Sequence, residues 1–426
     1  MGPGVPLNVL FVVPYAPTRI RTRPYHFIRA LATAGHRLTV ATVWNDAEER
    51  DTVQELETIG VRVLAERVHR ARSAWNCLQA LPTGDPLQSR YSWSPRLARR
   101  LAQIVREEPP DIVHVEHLRG ARYGLALRAS TEPNANRPAI VWDSVDCISG
   151  LFRRAARESR TLAVRIAATA ELRRTERFEG WALSQFDHVV VTSAVDREEL
   201  LQLAPRMPPV ARPAPVDVVP NGVDLDYFSP PSDARDSMTL VITGKMSYHA
   251  NEAAVVGFVD EIMPLVWTDV PSATLLIVGK DPSPAVLQLA ERRASASGGN
   301  GSESAGRVRV TGTVPDLRPF LRRATLAVAP IQYGVGVQNK VLEALACGTP
   351  VVATPQAISA LEVRSGDELI VTSSSQDLAR TIVSLLRDPQ RRARLAQAGR
   401  EFVQRCHDWH AVASRLTSIY RDTRPH

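Results

Sequence analysis

The sequence predicts an α/β chain built from two Rossmann-like, doubly wound domains facing a central cleft. Short apolar runs alternate with helix-period segments along nearly all of the 426 residues, the signature of βαβ units and parallel sheets. Near the middle this alternation is broken by a proline-rich stretch that contains an Asn-Gly turn at Asn221 and Gly222, a junction signal. The length exceeds what one hydrophobic core sustains, so two domains are expected.

The first series of strands is expected at Leu7 to Val13, Arg37 to Val43, Val61 to Ala65, Asp111 to Val115, Ala139 to Trp142 and His188 to Thr192. The second is expected at Thr239 to Thr243, Ala273 to Val278, Arg307 to Val310, Thr325 to Ala329 and Pro350 to Ala353. Runs this apolar suit strands covered on both faces. The boundaries that follow are a first domain at 1–215, a linker at 216–236, a second domain at 237–404, and a terminal segment at 405–426 whose amphipathic helix, Trp409 to Tyr420, packs back on the first domain. Ser295 to Gly306 reads as a flexible, poorly ordered surface loop by composition. Residues 147–184 form a helical insert carrying Arg153, Arg154, Arg157, Arg160, Arg165, Arg173, Arg174 and Arg177. Glu158, Glu171, Glu176 and Glu179 interrupt the basic run. A salt-bridged subdomain and a membrane-surface helix both fit that pattern.

Composition excludes several classes. With 44% hydrophobic and 23% charged residues, the chain is neither disordered nor fibrous, and no apolar run reaches the roughly 18 residues of a membrane span. The N-terminus lacks a basic stretch and a small-residue cleavage site, so no signal peptide is expected. Cys77, Cys147, Cys347 and Cys406 are far apart, which fits a reducing compartment with neither a zinc site nor a disulfide framework. A cytoplasmic protein is therefore expected. The net charge of +7 rests on arginine, because Lys245, Lys280 and Lys340 are the only lysines. No aromatic residues interleave with the basic ones, so nucleic acid is not an expected partner.

Sheets of this kind bind ligands at their C-terminal strand ends, and the residues there carry the chemistry. After the strand ending at Pro330 come Gly334, Gly336 and a helix starting near Gln338. Glycines let backbone N–H groups approach an anion, and the helix start adds partial positive charge. Lys340 stands on the first turn to meet phosphates, and Glu343 offers a carboxylate to vicinal hydroxyls. The same residues also suit a tight turn and a solvated helix face. A dinucleotide fingerprint is not met, because Gly-Val-Gly-Val-Gln-Asn lacks the third glycine. Lys245 and Lys280 each follow a glycine at a strand end, and a lysine retained in an arginine-rich chain favours sites that need a compact point charge. In the first half, Arg19, Arg21 and Arg23 follow the first strand and are expected to hold a phosphate of donor or acceptor. His114, Glu116, His117 and Arg119 end the fourth strand, in position for acid-base or hydroxyl-orienting work. His114 also suits a buried, satisfied place. Asp143 and Asp146 end the fifth.

These segments, with FVVPYAP, DIVHVEHLRG, VPNGVDLDYFSP, TGKMSYHANEAA, LLIVGKDP, VRVTGTVPDL and NKVLEALACGTPVVAT in that order, resemble the GT-B glycosyltransferases. The resemblance is greatest to retaining family four, and within it to bacterial sugar transferases associated with exopolysaccharide synthesis. It implies a nucleoside-diphosphate sugar held by the second domain, a glycan, lipid-linked or small-molecule acceptor on the first, and transfer with retention. It implies no bound metal and no cofactor. Peripheral contact with the inner face of the membrane fits such acceptors. Carried over by position, the donor-binding set is Lys245, Thr313, Val314, Tyr333, Gly334, Gly336, Lys340 and Glu343. The catalytic set is Glu116, His117 and Lys245, and the acceptor-side set is Arg19, Arg21, Arg23 and Asp146. Three departures stand out: Val335 replaces a glutamate many members carry, Asn251 replaces a second basic residue for which Lys340 compensates, and the glycine-rich first loop is absent. The same architecture also serves sugar-nucleotide epimerases and non-catalytic nucleotide-sugar-binding partner proteins.

Overall fold

A computed structural model describes residues 5–18, 21–131, 137–158, 162–204, 213–295, 307–332 and 338–424. The chain divides into two units, Met1–Pro220 with Val412–His426, and Asn221–Ala411.

The first unit is built on seven strands: β1 (Asn8–Val13), β2 (Arg37–Trp44), β3 (Arg62–Arg67), β4 (Ile112–Glu116), β5 (Ala139–Val145), β6 (His188–Val191) and β7 (Val216–Val218). They lie in the order β3-β2-β1-β4-β5-β6-β7, with every pair parallel. The second unit repeats the plan with β8 (Thr239–Thr243), β9 (Thr274–Val278), β10 (Val308–Gly312), β11 (Leu326–Ala329), β12 (Val351–Ala353) and β13 (Ile370–Val371). Their order is β10-β9-β8-β11-β12-β13, again all parallel. Each sheet reverses its strand order once, between β1 and β4 and between β8 and β11. A crevice forms outside the strand ends at such a reversal.

The central strands are buried along nearly their whole length, as helices on both faces require. Local sequence sets many helix starts. Ser94 caps Leu97 N–H ahead of Pro95, and Asp388 caps Arg391 N–H ahead of Pro389, pairing a side-chain acceptor with a residue that needs no N–H partner.

Every expected strand is present within three residues of its expected bounds, and two were missed. β7 and β13 are edge strands of three and two residues, too short for an alternating pattern to register. β7 also corrects the linker. Val216–Val218 pairs with β6 and belongs to the first unit, so the chain changes unit after Pro220. The last helix, Trp409–Thr423, joins the first unit from Val412 on. Most of the loop expected at Ser295 to Gly306 lies outside the described residues.

The helical insert consists of Ile148–Glu158 and Leu162–Ala182, packed on each other. Glu171, Glu176 and Glu179 are turned toward partners within the unit. Glu179 accepts the N–H groups of Ile148 and Ser149 at 2.8 and 3.0 Å, which neutralises the start of the first helix. Glu176 pairs with Arg153, and Glu199 pairs with Arg154. Several arginines of the second unit are structural in the same way. Arg235 donates to the carbonyls of Leu321, Arg322, Ala324, Cys347 and Gly348, tying down two helix C-termini whose carbonyls lack intrahelical partners.

Candidate functional site

In the first unit the sheet reversal gathers a buried polar cluster. Glu116 ends β4 in register with Asp143 of β5. Tyr15, just past β1, donates its hydroxyl to Glu116 Oε1 at 2.7 Å. Glu116 is 1% exposed, and its Oε2 has no hydrogen-bond partner among the described residues. Burial and the neighbouring Asp143 charge push its carboxyl up to about 8. Asp143 accepts from Arg23 Nε at 2.8 Å and from Val145 N–H at 3.0 Å. Arg23 also donates Nη1 to the Val219 carbonyl at 2.9 Å. His114 stacks on Phe11 and shares a 2.8 Å hydrogen bond between Nδ1 and the Tyr420 hydroxyl. Burial holds this imidazole well below the ordinary histidine range.

His117 begins the helix His117–Ser130 with φ at 62°, a region non-glycine residues seldom occupy. Its Nδ1 accepts Arg119 N–H at 3.2 Å, which leaves the proton on Nε2. Burial and the Arg119 charge lower its pKa to about 3, so the ring is neutral. One strand over, Val145 has φ 67°, a genuine outlier for a β-branched residue. Two such residues at neighbouring strand ends store roughly 1–3 kcal/mol of strain each. Asp146, partly exposed, accepts from Thr192 Oγ1 at 3.2 Å, and burial beside Asp196 raises its pKa to about 6.

This geometry corrects two expectations. Arg23 is 4% exposed and its guanidinium is committed to Asp143 and a carbonyl, so it braces the strand end and is not a phosphate anchor. Glu116 is sealed under Tyr15 and holds that residue in place, so His117 is the group of the pair that reaches the surface. Arg21 pairs with Glu49 at 3.0 Å and covers the Tyr15 ring, partly exposed above the cluster. Arg19 lies outside the described residues.

In the second unit the corresponding reversal brings together β8, β11 and the helix Asn339–Ala346. Gly244, just past β8, has φ 151°. A Cβ there would meet Asn251 Nδ2 at 2.9 Å and Lys340 Nζ at 3.4 Å, so only glycine leaves room for both side chains. Gly279 packs on the Gly244 backbone so closely that a Cβ would collide with its carbonyl. Asn251 donates to the Lys245 carbonyl at 2.9 Å and accepts from Lys340 Nζ at 2.6 Å. Asn251 thus aims the Lys340 ammonium at the mouth of the strand turn, beside exposed Lys245. Burial brings Lys340 down to about 8, against the opposing pull of Glu343. Glu343 stands one turn on, partly exposed, without a hydrogen-bonded partner among the described residues. Burial raises its carboxyl to about 7. Lys280 is exposed after β9, and Thr313 and Val314 follow β10. Tyr333, Gly334, Val335 and Gly336 lie outside the described residues.

Tyr15 and Asp143 carry a positional signal, since each stands at or just past a strand end. Nothing local pairs Tyr420 with His114, 306 positions away.

The family models match both units. Glycosyltransferase Family 4 covers residues 21–227, and Glycosyl transferases group 1 covers residues 237–388. Each unit thus matches a glycosyltransferase family model, and the two parallel Rossmann-like sheets are those of the GT-B fold. Among curated proteins it is 29% identical over 262 residues to the D-inositol 3-phosphate glycosyltransferase of Saccharomonospora viridis, covering 57% of each chain. It is 30% identical over 210 residues to the phosphatidyl-myo-inositol mannosyltransferase of Mycobacterium leprae, covering 47% of this chain and 52% of the other. The matches thus span little more than half the length of these relatives. Among solved structures, Anabaena HepE in complex with UDP and glucose superposes with a TM-score of 0.66 at 15% identity, over 98% of this chain and 100% of that one. The sucrose-phosphate synthase of Thermosynechococcus elongatus gives 0.63 at 18% identity, over 97% and 98%. At such identities the likeness is one of fold.

Proposed function

We propose that this chain transfers a hexose-type sugar from a nucleoside-diphosphate sugar to an acceptor hydroxyl with retention, in polysaccharide, glycolipid or glycoconjugate synthesis. The observation that carries the reading is the Lys340 ammonium held 2.6 Å from Asn251 Oδ1, beside Gly244 and Lys245. One buried cation and the exposed Lys245 thus flank a strand turn at Gly244, where added side-chain bulk would meet Asn251 and Lys340. A diphosphate is the ligand such a site fits. Glu343 supplies a carboxylate at the distance of one helical turn, suited to the two hydroxyls of a ribose.

In the reaction the bond from the anomeric carbon to the diphosphate oxygen breaks, a bond to the acceptor oxygen forms, and the acceptor proton leaves with the diphosphate. Lys245 and Lys340 stabilise the charge that develops on the leaving group. His117, neutral with its proton on Nε2, orients a hydroxyl on the first unit, and Asp146 and Arg21 lie at the same strand edge. The inositol phosphate and mannosyl transferases named above support acceptors of the cyclitol or lipid-linked kind, and HepE with UDP supports a nucleotide donor.

Calorimetry with UDP, GDP and ADP tests the donor site, and binding of none of the three refutes it. Mass spectrometry of donor incubated with and without an acceptor panel tests the chemistry. Conversion of the donor alone to an isomer identifies an epimerase. Binding with neither transfer nor donor hydrolysis identifies a non-catalytic partner protein.

A further inference from the structure

Exposed large apolar side chains are unevenly distributed over the first unit. Trp75, Leu78 and Leu81 are 53, 57 and 50% exposed, and Leu162, Ile166 and Trp181 are 68, 62 and 40% exposed. The first three come from the helix Arg70–Ala80 and the turn after it, the others from the helix Leu162–Ala182. The two segments are neighbours: Arg174 donates to the Leu81 carbonyl at 3.1 Å, and Glu171 accepts Leu87 N–H at 2.9 Å. Scattered surface leucines are ordinary, but a contiguous apolar patch marks an interaction site.

The longer helix shows what kind. Leu162, Ile166, Ala170, Arg173, Arg177 and Trp181 are all exposed and recur at steps of four, four, three, four and four, which places them on one helix face. No acidic residue lies on this stripe, because Glu171, Glu176 and Glu179 are turned toward Leu87, Arg153 and the neighbouring helix N-terminus. A cavity of about 460 Å³ beside Ala156, Leu162, Ile166 and Arg173 runs along its apolar end. Exposed Arg70, Arg72, Arg157 and Arg165 add positive charge around it. A second copy of the chain would set these arginines against one another, with no carboxylate among the described side chains of the stripe to receive them. The described residues contain no helix long and apolar enough to cross a membrane.

We infer that this face docks on an anionic phospholipid bilayer, with Leu162, Ile166 and Trp181 entering the interface and Arg173 and Arg177 meeting lipid phosphates. Apolar residues and a tryptophan beside an uninterrupted basic stripe are the chemistry of an interfacial helix. The face shares no residue with the donor site, so this inference does not depend on the transferase reading.

The test is cosedimentation of the full chain with vesicles of phosphatidylcholine alone or with 30% phosphatidylglycerol, at low and high salt. Binding is expected to the anionic vesicles only and to fall as salt rises. The double variant Arg173→Ala/Arg177→Ala is expected to bind about thirtyfold more weakly, since each basic residue near an anionic surface contributes roughly fivefold. A second double variant, Leu162→Ser/Ile166→Ser, is expected to lose at least tenfold. Both should keep the parent melting temperature and nucleotide binding, because the exchanged side chains are exposed. Failure of the parent protein to sediment with anionic vesicles overturns the inference. So does undiminished binding by both folded variants, or a concentration-dependent dimer that Leu162→Ser/Ile166→Ser abolishes.

Discussion

Replacing Lys340 by methionine probes the donor site directly, because the chain length is kept while the charge and its donors are removed. In the structure Lys340 Nζ is fixed by a 2.6 Å hydrogen bond to Asn251 Oδ1 and lies 3.4 Å from the point where a Gly244 Cβ would stand. It is thus preorganised for a ligand at the strand turn. A hydrogen bond to a charged group contributes about 1.5–3 kcal/mol, so Lys340→Met should weaken nucleoside-diphosphate binding roughly 10- to 150-fold. Lys340→Arg should rescue little, since a planar guanidinium does not fit the space an ammonium fills between Asn251 and Gly244. The pH dependence supplies an independent readout. Burial lowers the Lys340 pKa to about 8, so its charge is present at neutral pH and is lost as pH rises through that value. The Lys340 contribution to affinity in the parent protein should be lost between pH 7 and 9, and that loss should be absent in Lys340→Met, where Glu343, raised to about 7, remains as the titrating group. Calorimetric titration with UDP, GDP and ADP measures both effects. Unchanged affinity in a folded Lys340→Met protein would refute the assignment.

Glu343→Ala should weaken the same nucleotides roughly 10- to 100-fold through loss of charged hydrogen bonds to two hydroxyls. An equal loss for the corresponding inorganic diphosphate would argue against a ribose contact. Glu116→Gln should raise stability in alkaline solution and do so much less near pH 5, close to the ordinary value of 4.5. The native carboxyl titrates at about 8 instead of the ordinary 4.5, so the folded state holds a proton the unfolded state has released. Stability is therefore lost as pH climbs between those values. Thermal melts at pH 5 and pH 8.5 measure it, and identical shifts at both would count against the buried-acid reading. Arg23→Met strands the Asp143 carboxylate and should cost about 3–5 kcal/mol at neutral pH, with part recovered in acid as Asp143 takes up a proton. Denaturant titration at pH 7 and pH 5 reads both, and a mild, pH-independent loss contradicts it. Tyr420→Phe leaves His114 Nδ1 buried without its partner and should cost about 1–3 kcal/mol, measured by the same titration. No loss of stability would mean that the Tyr420 hydroxyl adds nothing.

Much of the second unit's candidate site was legible in the linear sequence because its parts sit where local rules place ligand groups. Lys245 and Lys280 each follow a glycine at a strand end, and Lys340 and Glu343 share the first turns of one helix. What local rules do not supply is the role of Asn251. As a sequence departure it removes a cation, whereas in three dimensions it is the acceptor that positions another, 89 residues away. The first unit was read less well. Arg23 looks like any loop arginine beside Arg21, yet 120 positions along the chain Asp143 claims it. Glu116 and His117 are adjacent, and their opposite fates turn on the backbone at His117, whose φ of 62° begins the helix.

The alternation of apolar runs with helical segments determined by itself that the chain is doubly wound and that it has two such units. Periodicity and capping are local, whereas strand order is set by the pairing of distant segments. Only the tertiary structure decided which charges are spent inside the fold and which are offered outward. Glu171, Glu176 and Glu179 of the insert face inward to cap and pair, beside an outer stripe of apolar residues and arginines. Sequence spacing counts charges along a helix. Burial cost forces each inward charge to find a partner, and that partner is named by the packing of distant segments.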